Sequence, residues 1–130
     1  MPQAANFTVK DGAATPVDTL FTLLTPASGK SPAVWVAKSK GPNVAAQPKV
    51  DASTTGTKIG RSLRLSFRLP YWVTGTDGRV TVVDSMFASL NTTVPDTIPD
   101  ANRDDFVALF ANIVASAIVR EMIRDGHSAV

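Results

Sequence analysis

From Ser62 to Leu69 polar and apolar residues alternate without interruption: Ser62, Arg64, Ser66 and Arg68 interleave with Leu63, Leu65, Phe67 and Leu69. In an extended chain successive side chains point to opposite sides, so this segment is a strand with one apolar face and one face of two guanidiniums and two hydroxyls. An array of that kind, repeating every second residue along a rigid element, is a set of donors spaced to meet phosphates and base edges. The weaker β-rich run from Gln47 to Thr55 brings Lys49, Asp51 and Ser53 to a shared face by the same alternation. The run from Arg79 to Val94 sets Ser85, Phe87, Ser89 and Asn91 opposite Met86, Ala88 and Leu90. Phe87 has two readings. On a polar face it is a platform for stacking unpaired RNA bases, a contact that contributes about 1–3 kcal/mol per base. If the register of its strand is shifted by one residue, it is a core side chain.

The distribution of charge bears on the same segment. Between Lys30 and Arg68 stand Lys30, Lys38, Lys40, Lys49, Lys58, Arg61, Arg64 and Arg68 against the lone acid Asp51. After Val80 the balance reverses, and the net charge of +2 conceals the asymmetry. A cationic middle gains affinity for a polyanion by releasing counterions from phosphates. The ordinary alternative is a solvated face of solubilising charges.

Catalytic chemistry finds little support. His127 sits in a polar tail with no cysteine or acidic cluster near it in sequence, which makes it a solvated terminal residue. Asp104 and Asp105 are adjacent and so do not face each other on a helix; attraction to the positive N-terminal end of a helix accounts for them. There is no cysteine, no phosphate-binding glycine loop and no nucleophile elbow. No catalytic residue, metal ligand set or cofactor is expected, and the chain is read as a non-enzyme.

These side chains need a scaffold, and the sequence predicts an α+β one. At 130 residues, with 44% hydrophobic and 18% charged positions, the chain suits a single ordered domain over residues 1–130. Short β-rich runs punctuated by Gly, Pro, Asn and Asp extend to Pro95, and helical spacing follows Pro99. Strands are expected at 6–10 and 17–24 as a hairpin, then at 33–38, 47–55, 59–69 and 79–94. Asp100 or Asn102 is expected to cap a helix that Gly126 terminates. On that helix Phe106, Leu109, Phe110, Ile113, Val114, Ala117 and Ile118 form one apolar stripe, widened by Val107, Ala111, Ala115 and Val119. So broad a stripe needs a second apolar partner, for which another subunit is the simplest source; a bend near Ser116 would serve equally. The N-terminus lacks a basic segment followed by an apolar one, and the stretch from Phe106 to Val119 is interrupted by Asn112 and Ser116. Neither secretion nor membrane spanning is expected.

Taken in order, NFT at 6–8, Trp35, QPKVDAS from Gln47, SLRLSFRLP ending at Pro70, SMFASLNTTVP ending at Pro95 and the helical region beyond resemble the coat proteins of the levivirus-type single-stranded RNA phages. The resemblance covers the whole chain. It implies an N-terminal β-hairpin, a five-stranded antiparallel sheet, and C-terminal helices packed across a dimer partner, with dimers assembling into an icosahedral shell in the bacterial host cytoplasm. It further implies that single-stranded genomic RNA lies on the inner sheet face, in several members through a hairpin whose capture represses replicase translation. Laid over that pattern, Lys49, Asp51, Ser53, Arg64, Ser66, Arg68, Phe87 and Ser89 fall on RNA-facing positions, Phe87 where an aromatic stacks a base. Asp51 departs from the small hydroxyl residue typical there, and Ser66 from a lysine. The loop Thr74 to Gly78 resembles the family's short connection around the symmetry axes. A non-viral dimeric RNA-binding module with the same basic sheet face is the alternative reading.

Overall fold

The computed structural model describes residues 3–129, and the chain divides into two compact units, one ending at Val94 and the other beginning at Pro95.

The first unit is a sheet of six strands: β1 (Phe7–Lys10), β2 (Asp18–Thr25), β3 (Ala33–Val36), β4 (Lys49–Gly56), β5 (Gly60–Thr74) and β6 (Val80–Pro95). They lie side by side in chain order, and the pairs from β1 through β5 are antiparallel. The hairpin and the five-stranded sheet expected from sequence are thus one continuous six-stranded sheet. The reason is that β2 serves both: Asp18 to Phe21 pair with β1, whereas Thr22 to Thr25 pair with β3. The strand β5 also runs five residues past its expected end, through Pro70. Proline lacks the N–H that a ladder needs, but the last β4 rung falls at Lys49 and Arg68, so Pro70 interrupts no bond to β4.

The core of this unit is aromatic. Phe7 stacks on Phe21 with ring centroids 5.0 Å apart and meets Trp35 edge-on at 5.7 Å. Phe21 meets Phe67 edge-on at 6.4 Å. Strands β2 and β5 are three places apart, which in a flat sheet is about 14 Å. The sheet is therefore curled, and the curl brings Phe21 over Phe67 and Val50. Residues just before β1 are tied to β2 and β3: Asn6 Oδ1 accepts from Leu23 N at 2.8 Å, and Trp35 Nε1 donates to Ala5 O at 2.9 Å. In the hairpin loop Asp11 accepts from the backbone N–H groups of Ala13 and Val17 and from Lys40 Nζ. The Lys40 hydrogen bond, followed by those from Val17 and Ala13, holds its carboxyl at about 2, below the ordinary 3.8. Between β3 and β4 the chain makes two 3-10 turns, Lys38–Lys40 and Val44–Ala46. Gly41 between them is required, because a Cβ there would lie 2.5 Å from Ala46 O.

The second unit holds α1 (Asp100–Ala115) and α2 (Ala117–Asp125), bent by 60° at the single residue between them. Ser116 is extended, with φ −65° and ψ 150°, and its hydroxyl donates back to Ile113 O at 2.6 Å. The bend allowed for near Ser116 is thus present. The cap is not the expected one. Pro99 is the N-cap residue without a side-chain cap, its carbonyl accepting from Asn102 and Arg103, and Asp100 lies in the first turn. Asp104 and Asp105 fall in the second turn, where the helix-end field has largely decayed. At the other end Gly126 adopts the left-handed conformation, φ 71°, and donates to Met122 O, as its position predicted. No α1 residue is buried: Phe106 is 52% exposed, Leu109 64% and Ile113 54%. Among the described residues no single helix is long and apolar enough to cross a membrane.

Candidate nucleic-acid interface

The β4–β5 ladder fixes which side chains share a face. Lys49 pairs with Arg68, Asp51 with Ser66 and Ser53 with Arg64, and these rungs alternate with Val50 and Phe67, Ala52 and Leu65, and Thr54 and Leu63. Directly opposite side chains point to the same side, with Cβ atoms about 4.5–5.5 Å apart. Six of the eight residues singled out from sequence therefore form three consecutive rungs on one face, and Val50, Leu65 and Phe67 belong to the aromatic core on the other.

Lys49 opposite Arg68 sets two cations against each other, an arrangement that is destabilising unless something separates or neutralises them. Both means are present. Lys49 leans along its own strand, its Nζ 3.6 Å from Asp51 Oδ1. Arg68 leans the other way, toward β6, where its Nε and Nη2 both donate to Ser85 Oγ at 3.2 Å. The same guanidinium lies over the Phe87 ring, 5.8 Å from its centroid. Phe87 is 76% exposed. Of its two readings the structure selects the polar face, and its ring is open to solvent beside a fixed cation. Ser89 is exposed two residues further along β6, placed on this face by alternation alone.

Ser85 joins this face as the hydrogen-bond partner of Arg68. Its place on the polar face was legible, but its grip on Arg68 depends on how β5 and β6 are aligned, which a two-residue period does not encode. Trp72 is a second case. Its Nε1 donates to Lys40 O at 3.3 Å and so ties the turn at Lys38–Lys40 to β5. No pattern in the sequence links positions that far apart.

A curled antiparallel sheet with one aromatic face and one face of cations, hydroxyls and an open phenyl ring, followed by two helices rich in exposed apolar residues, defines an α+β protein. Residues 2–129 match the levivirus coat protein family, and the chain belongs to that family of capsid proteins. Among solved structures it is similar to the virus-like particle of bacteriophage NT-214, at 23% identity and a TM-score of 0.86 over 99% of this chain and 100% of that one. It is similar too to the virus-like particle of bacteriophage ESE058, at 22% identity and a TM-score of 0.82 over 99% and 100% of the two chains. The bacteriophage GA protein capsid matches at 19% identity and a TM-score of 0.74, over 95% of each chain. No curated protein matches. At these identities the structural likenesses speak for the fold, and the family match carries the capsid role.

Proposed function

We propose that this capsid protein forms interlocked dimers, that the dimers close into an icosahedral shell, and that the polar face of β4, β5 and β6 holds single-stranded genomic RNA inside it. The observation that carries the RNA reading is the trio Arg68, Ser85 and Phe87: a guanidinium fixed by a hydroxyl over an exposed aromatic ring, next to three polar rungs. A held guanidinium loses less side-chain freedom when it meets a phosphate, and the ring offers any unpaired base a stacking surface. Lys49 and Arg64 supply further phosphate contacts, while Ser53, Ser66 and Ser89 supply hydroxyls for base edges and riboses. A hairpin in the genome captured on this face would be the means of repressing translation.

Two features support the dimer. The sixteen-residue strand β6 is last in the sheet order, so one of its edges offers unpaired backbone groups to a second copy. The exposed phenylalanine, leucine and isoleucine side chains of α1 are an apolar surface of the kind that a partner covers. Assembly takes place in the bacterial cytoplasm in this reading, and the loop Thr74 to Gly78, held by Gly75 N donating to Arg79 O, meets neighbouring subunits around the symmetry axes.

Electron microscopy of the purified full-length protein, with its absorbance at 260 and 280 nm, tests the proposal. Regular closed particles with a nucleic-acid spectrum are expected. Soluble dimers alone, or closed particles with a protein spectrum, would contradict the shell and the RNA reading respectively.

A further inference from the structure

The polar face holds one carboxylate among its cations, and its surroundings differ from those of a satisfied ion pair. Asp51 occupies the middle rung, with Ser66 opposite it on β5 and Val34 opposite it on β3. Its Oδ1 is shut off from solvent and accepts no hydrogen bond among the described residues. Lys49 Nζ, at 3.6 Å, is beyond hydrogen-bonding distance. The Asp51 side chain is nevertheless 36% exposed, and the Lys49 side chain 3.6 Å from Oδ1 is itself 46% exposed, so that turning Lys49 away opens the carboxylate to the face.

A carboxylate on a face built for phosphates repels the RNA backbone, and what satisfies it is a donor. Among unpaired bases the Watson–Crick edges differ in what they offer. Adenine and cytosine set a ring acceptor beside their amino group, and uracil flanks its single N–H with two carbonyls. Guanine alone presents two adjacent donors, N1–H and the N2 amino group, spaced for the two oxygens of one carboxylate. Val34 beside Asp51 adds an apolar contact for the base, and Ser66 a hydroxyl at its edge.

We propose that Asp51 makes this face selective for an unpaired guanine, its carboxylate accepting from N1–H and the N2 amino group while Lys49 turns to a neighbouring phosphate. The inference rests on the RNA-binding reading above and specifies which base it favours.

The test uses the full-length protein and a pool of RNA hairpins with a randomised loop. Wild type is expected to enrich loops with guanine at one position, about tenfold over the other bases, as a two-bond contact to a base edge provides. Replacing that guanine by inosine, which lacks only the N2 amino group, should remove most of the preference. Asp51→Ser should lose the preference and bind loops lacking guanine more tightly, because an anion has left a phosphate-binding face. Salt-sensitive binding by wild type with no base preference would overturn the guanine assignment and leave the RNA reading intact. The same preference in Asp51→Ser, or a preference abolished by EDTA, would overturn it too, the latter by assigning the carboxylate to a bound cation. Failure of wild type to retain any RNA would sink both readings.

Discussion

Arg68 and Asp11 illustrate how much a single side chain here depends on partners far away in sequence. Arg68 is oriented by Ser85 and Phe87, seventeen or more residues on, and Asp11 by Lys40, twenty-nine residues on. Asp11 also gives the hairpin loop its pH dependence. Its folded-state carboxyl is depressed to about 2 from 3.8, so the stabilisation is fully present above 3.8 and is lost as the pH falls through about 2. The variant Asp11→Asn is therefore expected to melt below wild type by a near-constant margin from pH 7 down to about pH 3.8 and by a margin that shrinks below that and fades as the pH falls through about 2. Thermal unfolding of the two proteins across that range checks the sign. A margin that grows on acidification would mean that the contacts from Lys40, Val17 and Ala13 do not stabilise the charged form.

At the level of elements, what the sequence made legible follows from period. The faultless alternation of Ser62 to Leu69 determines two faces whatever the strand pairs with, and all three polar rungs follow once β4 is beside it. Alignment between strands has no period to betray it. The double use of β2, the continuation of β5 through Pro70 and the grip of Ser85 on Arg68 were all hidden for that reason. The helix break was legible only as an option, since Ser116 is neither Gly nor Pro and breaks the helix through its own hydroxyl, bonded back to Ile113 O. Phe110 stacks on Phe106 with centroids 6.1 Å apart, in the apolar surface of α1. Phe110→Asp puts a charge where the proposed partner would bury it, a placement that costs several kcal/mol when no counter-charge is at hand. Sedimentation of that variant is expected to show no dimer; a dimer as stable as wild type would remove α1 from the interface.

The whole molecule is a division of labour between two faces of one curled sheet. One carries Phe7, Phe21, Trp35 and Phe67 and holds the unit together; the other carries Lys49, Arg64 and Arg68, the proposed phosphate contacts. Folding and RNA binding should therefore be separable by mutation, because changes on the polar face leave the aromatic cluster untouched. Each lost phosphate contact on a single strand is expected to flatten the dependence of log affinity on log salt by about 0.7. The most direct measurement is the RNA content of particles formed by the double variant Arg64→Ala with Arg68→Ala, read from the ratio of absorbance at 260 to 280 nm and compared with wild type. A folded, assembled variant with clearly reduced RNA is the predicted result, and particles with undiminished RNA would contradict the assignment of this face.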